Sequence, residues 1–109
     1  MAEKVLILGL SKSGIAAAKF AVSKGYDVYV TEKKNEVNLE QVKELQNLGV
    51  KIEHGSHSEE FISGASFAIT SPGIPPKSEI FRRLNEKNIK IISEVEFAYL
   101  NTKTPFIAI

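Results

Sequence analysis

The stretch Val5-Leu6-Ile7-Leu8-Gly9-Leu10-Ser11-Lys12-Ser13-Gly14 decides the fold. Its first four residues form a continuous apolar run, which is typical of a strand covered on both faces in a parallel sheet. Gly9 and Gly14 frame a tight turn, and the alanine-rich segment that follows predicts a helix over about residues 13–24. A strand, a turn and a helix in this order predict an α/β unit whose helix start can receive an anionic phosphate.

The rest of the chain repeats this alternation of strand and helix. Further strands are predicted at 27–31, 50–53, 65–70, 89–92 and 105–109, and further helices at 39–48, from Ser58, at 78–87 and at 94–100. The pattern predicts an α/β fold: a Rossmann-like three-layer sandwich with a mostly parallel sheet of about five strands and helices on both faces. Residues 1–109 are expected to form one domain.

Composition excludes several classes of function. The chain is 43% hydrophobic and 25% charged with a net charge of +1, so no strong field favours nucleic acid or an anionic membrane. It contains no cysteine, which removes disulfides and thiolate chemistry. The apolar run near the N-terminus is too short for a signal peptide or a membrane span. We expect a cytoplasmic protein, monomeric, with no nucleic-acid or membrane partner.

The Gly-rich turn is the strongest candidate binding site. Ser11, Lys12, Ser13 and Gly14 lie at the predicted helix start, where free backbone N–H groups and the helix dipole favour a phosphate. The dinucleotide pattern G-x-G-x-x-G has a middle glycine, and here that position is Ser11. The alternative is an ordinary turn between strand and helix that binds no ligand.

Two further segments follow predicted strands, so they lie at the same edge of the sheet. Glu32, Lys33 and Lys34 follow the second strand, where an acid commonly accepts hydrogen bonds from a nucleoside. Ser71, Pro72 and Gly73 follow the predicted strand at 65–70 in a rigid, sharp turn. The alternatives are a solvated charged loop and a purely structural turn.

Other polar groups have weaker patterns. His54 and His57 lack a clear third metal ligand and are interpreted as surface-loop residues, and the pair Arg82-Arg83 is interpreted as a solvated helix face. No catalytic residue is predicted, no metal site is assigned, and no G-x-x-x-x-G-K-[ST] loop occurs.

With these segments placed, the whole chain resembles the N-terminal domain of the Mur ligases, which build peptidoglycan. Four passages carry the resemblance in order: the Gly-rich stretch 5–14, Val28-Tyr29-Val30-Thr31-Glu32-Lys33, Ser71-Pro72-Gly73-Ile74-Pro75 and Ile92-Ser93-Glu94-Val95-Glu96-Phe97. Ser-Pro-Gly-Ile followed by Glu-Val-Glu-Phe is typical of the members that add D-glutamate.

The resemblance implies a binding role without chemistry of its own. Residues 11–14 would receive the diphosphate of UDP-N-acetylmuramoyl-L-alanine, Glu32, Lys33 and Lys34 the uracil nucleoside, and Ser71, Pro72 and Gly73 the sugar-diphosphate side. It also implies that the chain is the first part of a longer ATP-dependent ligase, whose absent central and C-terminal domains hold ATP and Mg²⁺. No cofactor is then expected in this chain.

Two alternative functions share the predicted fold. One is an NAD(P)- or flavin-binding module of an oxidoreductase, against which Ser11 and the Ser-Pro-Gly turn both argue. The other is a domain without a ligand, since fold alone does not fix function.

Overall fold

The computed structural model describes residues 3–70 and 78–100. The chain alternates strands and helices throughout, as the sequence predicts. The elements are β1 Lys4–Leu8, α1 Lys12–Ser23, β2 Asp27–Glu32, α2 Leu39–Asn47, β3 Lys51–His54, α3 Glu59–Ile62, β4 Phe67–Thr70, α4 Glu79–Glu86, β5 Lys90–Ser93 and α5 Glu94–Leu100. The predicted strand at 105–109 lies outside the described residues.

The five strands form one parallel sheet in the order β3-β2-β1-β4-β5. The chain leaves central β1 toward β2 and β3, then crosses back to place β4 on the other side of β1. The strand order therefore extends from β1 to β2 on one side and from β4 to β5 on the other, and such a reversal places a crevice at the carboxyl edge of the sheet. The predicted Rossmann-like fold is confirmed.

Two apolar cores cover the two faces of this sheet. Helices α1, α2 and α5 pack on one face, where Val5 and Ile7 point, and α3 and α4 pack on the other, where Leu6 and Leu8 point. All four of these β1 side chains are at most 1% exposed. Burial on both faces explains why the β1 sequence is apolar without alternation.

Side-chain caps fix where several helices begin. Ser11, Asn38 and Ser58 each accept a hydrogen bond from the backbone amide three residues ahead. Each bond satisfies one of the amides that a first helical turn leaves without an acceptor. The spacing of Asn38 and Gln41 in the sequence predicts a cap at Asn38, and the bond from the Gln41 amide to Asn38 Oδ1 is 3.1 Å long.

The spacing of Leu39, Val42, Leu45 and Leu48 predicts that they share one apolar face of α2, and this prediction is partly wrong. Val42 and Leu45 are buried as predicted, whereas Leu39 and Leu48 are 67% and 46% exposed. Leu39 is the first residue of this nine-residue helix and Leu48 is its C-cap. The short helix therefore contacts the core through its middle turn, and the leucines at its two ends stay exposed.

The interpretation of Arg83 as a solvated residue was also wrong. Its side chain is only 25% exposed, and Nη1 donates to the backbone oxygen of His57. Arg83 lies in the last turn of α4, from which the long side chain reaches the loop after β3. Arg82, by contrast, is exposed as predicted. Within 3–70 and 78–100, no helix has the length and apolar character needed to cross a membrane.

Candidate functional site

An open groove of about 900 Å³ lies at the carboxyl edge of the sheet. The turn after β1 and the segment after β2 form much of its wall. Its lining includes residues 8–11, 31–34, 36–38 and 41, together with His57, Ser78 and Ile80. This edge contains the point where the strand order reverses, which is where open α/β sheets bind ligands.

The Gly-rich turn is compact, and its geometry requires glycine at both Gly9 and Gly14. Gly9 has a φ of 100°, a conformation that residues with a side chain rarely adopt. A Cβ added at Gly14 would lie 2.5 Å from the backbone oxygen of Gly9, so only glycine lets the helix start approach the turn. The Gly9 amide also donates to the Thr31 oxygen at 2.9 Å, which anchors the turn to β2.

The start of α1 carries the groups suited to an anion. Ser11 is the N-cap, and its Oγ accepts from the Gly14 amide at 3.1 Å and lies 3.2 Å from Ser13 Oγ. Across 3–70 and 78–100, the amides of Lys12 and Ser13 have no hydrogen-bond acceptor. These two amides, the Ser13 hydroxyl and the exposed Lys12 ammonium can bind a phosphate. The Gly14 amide is already satisfied, so Gly14 contributes through close packing.

The Glu32 carboxylate joins two backbone segments that line the groove. Its Oε1 accepts from the Leu10 amide at 2.8 Å, and its Oε2 accepts from the Lys34 amide at 3.0 Å. The carboxylate therefore links the turn after β1 to the segment after β2. Each of its oxygens can accept a further hydrogen bond. Lys33 and Lys34 are exposed and line the groove beside it.

His57 lines the groove, although the sequence interpretation placed it on the surface. Its Nδ1 lies 2.7 Å from the Oγ1 of Thr31, which is fully buried. Burial lowers the pKa of His57, and the nearby Glu53 carboxylate partly counters that effect. One signal in the sequence could have located it. His57 follows a strand of a parallel sheet, so its loop lies at the same edge as the Gly-rich turn.

The remaining predicted site residues, Ser71, Pro72 and Gly73, lie outside the described residues. Strand β4, which precedes them in the chain, ends at Thr70 on the same edge of the sheet. In the parts of the chain described, no group of three or more His, Cys, Asp or Glu residues could hold a metal ion.

These features define a Rossmann-like α/β domain with a Gly-rich helix start at the switch point of its sheet. The family model for the Mur ligase MurD-like N-terminal domain matches residues 3–93. The chain belongs to this family, as its sequence passages predicted.

Curated relatives agree with the family match. The chain is 41% identical over 111 residues to the UDP-N-acetylmuramoylalanine--D-glutamate ligase of Cytophaga hutchinsonii, covering 100% of this chain and 24% of the relative. It is 38% identical over 108 residues to the ligase of the same name from Caldanaerobacter subterraneus, covering 98% and 24%. The chain thus spans about a quarter of the length of these curated relatives.

A solved structure shares the fold at low sequence identity. The UDP-N-acetylmuramate:L-alanyl-gamma-D-glutamyl-meso-diaminopimelate ligase from Neisseria meningitides superposes with a TM-score of 0.78 at 13% identity. The match covers 94% of this chain and 32% of that structure. At this identity the likeness supports the α/β fold alone.

Proposed function

We propose that the groove binds the UDP part of a UDP-linked cell-wall precursor. The observation that carries this proposal is the start of α1: Ser11 lines the groove together with Glu32 and Lys33. The amides of Lys12 and Ser13, which follow Ser11 in the chain, have no acceptor among the described residues. The helix start suits the diphosphate, and the polar segment after β2 suits the nucleoside. Family membership supports UDP over a redox cofactor.

We propose further that the longer protein joins D-glutamate to UDP-N-acetylmuramoyl-L-alanine in the cytoplasm. The support is the shared name of the relatives, which match nearly the whole of this chain. In such a ligation ATP activates the substrate carboxylate as an acyl phosphate, and the amine of D-glutamate attacks it. No residue of this chain is assigned to ATP or Mg²⁺, since no P-loop pattern occurs in its sequence. Its part in the reaction is to hold and orient the substrate.

Titration of the 109-residue chain with UDP and with NAD, followed by backbone amide NMR, tests the binding proposal. We expect UDP to shift the amide signals of Ser13, Gly14 and Glu32, and NAD to leave them unchanged. The reverse pattern would favour the oxidoreductase alternative and overturn the proposal. No response to either ligand would overturn UDP binding by this chain on its own.

A matched pair of serine variants on α1 sharpens the test. Ser13→Ala removes a hydroxyl at the helix start, and Ser23→Ala removes one at the last residue of the same helix. We expect Ser13→Ala to weaken UDP binding about threefold to tenfold, which corresponds to one hydrogen bond. Ser23→Ala should bind UDP like the unmodified chain. Equal effects of the two variants would place the phosphate away from this helix start.

A further inference from the structure

A partly buried hydrogen-bond network centred on Thr31 lies at the wall of the groove where β2 ends. The Oγ1 of Thr31 lies 3.0 Å from Glu53 Oε2, 3.3 Å from the Ser56 oxygen and 2.7 Å from His57 Nδ1. A threonine hydroxyl has one proton to donate, and neither a carboxylate nor a carbonyl has a proton to return. Donation to the charged carboxylate is the stronger choice. Thr31 Oγ1 therefore accepts a hydrogen bond from His57 Nδ1–H.

Contacts from several elements hold this network in place. Glu53, on β3, also accepts from the Ser58 amide at 2.8 Å. Arg83, on α4, donates to the backbone oxygen of His57. Thr31 lies on β2 and is fully buried. The imidazole is thus held by its contact to β2, and the backbone that carries it is held by the contact from α4.

The network determines what the ring presents to the groove. A neutral imidazole that carries its proton on Nδ1 has a lone pair on Nε2, and Nε2 has no hydrogen-bond partner in the described parts of the chain. The charged groups that face the ring are Glu53, Arg83, Glu32 and Lys33. Burial is the largest influence on the ring, and it lowers the pKa of His57 and so favours the neutral form.

We propose that His57 Nε2 accepts a hydrogen bond from the bound nucleoside and is a specificity-determining residue of the groove. This inference rests on the proposed function. Two groups of a uridine could supply the donor, namely the N3–H of the base and a ribose hydroxyl. Both need a neutral ring with the proton on Nδ1. In cytosine the N3 position is an acceptor, so a contact with the base would also reject cytidine nucleotides.

Isothermal titration of the 109-residue chain with UDP tests the role of His57. We expect His57→Leu to weaken UDP binding about fivefold to tenfold, since it removes the acceptor. His57→Gln, which can offer an amide oxygen near the same position, should recover most of that loss. The control is His54→Leu, because His54 is exposed on β3 and does not line the groove. Unchanged UDP affinity in His57→Leu would overturn the inference and leave the proposed function intact.

Three UDP analogues then identify the donor. N3-methyl-UDP lacks the base donor, and 2′-deoxy-UDP and 3′-deoxy-UDP each lack one ribose hydroxyl. We expect the analogue that lacks the relevant donor to bind the unmodified chain more weakly and to lose nothing further in His57→Leu. If His57→Leu weakens the binding of UDP and of all three analogues by the same factor, the ring contributes only shape and the inference fails.

Nitrogen NMR of the imidazole in the unliganded chain tests the network separately from binding. We expect the His57 proton on Nδ1 and an unprotonated Nε2. A proton on Nε2 would overturn the inference whatever the titrations show. If the unmodified chain does not bind UDP, the proposed function fails, and the ligand role of His57 fails with it, even where the nitrogen spectrum confirms the proton on Nδ1.

Discussion

At the scale of single residues, the shape of the candidate site depends on two residues, Gly14 and Glu32, that few other amino acids could replace. Gly14 brings the start of α1 against the turn, with no room for a side-chain carbon. Glu32 accepts from two backbone amides that belong to different walls of the groove. Neither residue has a chemical role in the proposed function. Both fix the backbone conformation around the start of α1, where the free amides lie.

Gly14→Ala should destabilise the fold and weaken UDP binding together. The new methyl group would meet the Gly9 oxygen at 2.5 Å, so the turn must shift. We expect a loss of about 1–3 kcal/mol in the free energy of unfolding, as for other overpacked sites, measured by urea denaturation. Gly49→Ala is the control, because its φ of 95° also disfavours alanine although nothing lies within 4 Å. It should cost stability without changing UDP affinity. Unchanged stability in Gly14→Ala would contradict the structure of the turn.

Glu32→Gln should loosen the link between the two walls. The neutral amide can accept only through its oxygen, so its nitrogen would face one of the backbone N–H groups of Leu10 and Lys34. We expect a loss of about 1–2 kcal/mol in unfolding free energy and faster hydrogen exchange at one of these two amides. Glu36→Gln changes an exposed acid of the same groove and should do neither. Slow exchange at both amides in Glu32→Gln would contradict the proposed link.

The sequence predicted which residues lie at the site better than it predicted their hydrogen-bond partners. Ser11 and Gly14 were expected to contact a ligand, and in the structure they first bond to each other. The sequence interpretation missed His57 as a site residue. Its place in the site depends on a hydrogen-bond network with Thr31 and Glu53, which are 26 and 4 residues away in the sequence. Such partners become neighbours only when β2 and β3 pair in register. A spacing rule within one segment cannot detect them.

At the scale of elements, a small ionic cluster joins α3 to the end of α4. Glu59, at the start of α3, accepts from Lys87 Nζ, from Ser63 Oγ at 3.1 Å and from Arg83 Nη2 at 3.5 Å. These contacts hold α3, which has only four residues, against its longer neighbour. The hydrogen bond from Lys87 is the largest of the influences that lower the pKa of Glu59.

The contribution of Glu59 to stability should depend on pH. Because its pKa is lower in the folded chain than the ordinary value of 4.5, its charged form stabilises the fold above that value, and the effect is lost as the pH falls through the folded pKa. We therefore expect Glu59→Gln to be less stable than the unmodified chain at about pH 7 and nearly equal to it at about pH 3, by urea denaturation. The effect should be small at high salt because the pair is exposed.

Glu86→Gln is the matched control for this pH dependence. Glu86 is an exposed acid on α4 and makes no ion pair within the described residues. Its difference from the unmodified chain should stay small at both pH values. If the difference for Glu59→Gln is as large at about pH 3 as at about pH 7, then the carboxylate charge is not what joins the two helices.

Local signals predicted the helices well and their burial less well. Cap residues and terminal glycines located the ends of α1 and α2 to within about one residue. Which side chains are covered depends on how far each helix overlaps the sheet. Leu39 and Leu48 have the spacing of a buried face, yet they lie at the two ends of α2 and are exposed.

At the scale of the whole molecule, one sheet is shared by two cores. Alternation of strand and helix predicted the parallel sheet and its two covered faces. It did not predict the order β3-β2-β1-β4-β5, because pairing between distant strands is decided by tertiary packing. That order makes β1 the central strand and places the Gly-rich turn where the direction of winding reverses. The location of the groove is thus a property of the complete sheet.

Because both cores rest on the same sheet, we expect them to unfold together. Ile15 of α1 belongs to one core and Ile62 of α3 to the other, on opposite faces of the sheet. Ile15→Val and Ile62→Val should each lower the unfolding free energy by about 0.5–1.5 kcal/mol. Since the two side chains share no partners, the double variant should lose the sum to within about 0.5 kcal/mol.

Urea unfolding followed by fluorescence of the tyrosines and by circular dichroism provides the measurement. In all three variants the two signals should report one transition with an unchanged denaturant slope, because neither face can lose its helices while the shared strands remain paired. A second transition in Ile62→Val would show that the face covered by α3 and α4 opens first. Since that face supplies Ile80 and Arg83, which lie at or beside the groove, its independent opening would make UDP binding and local unfolding compete.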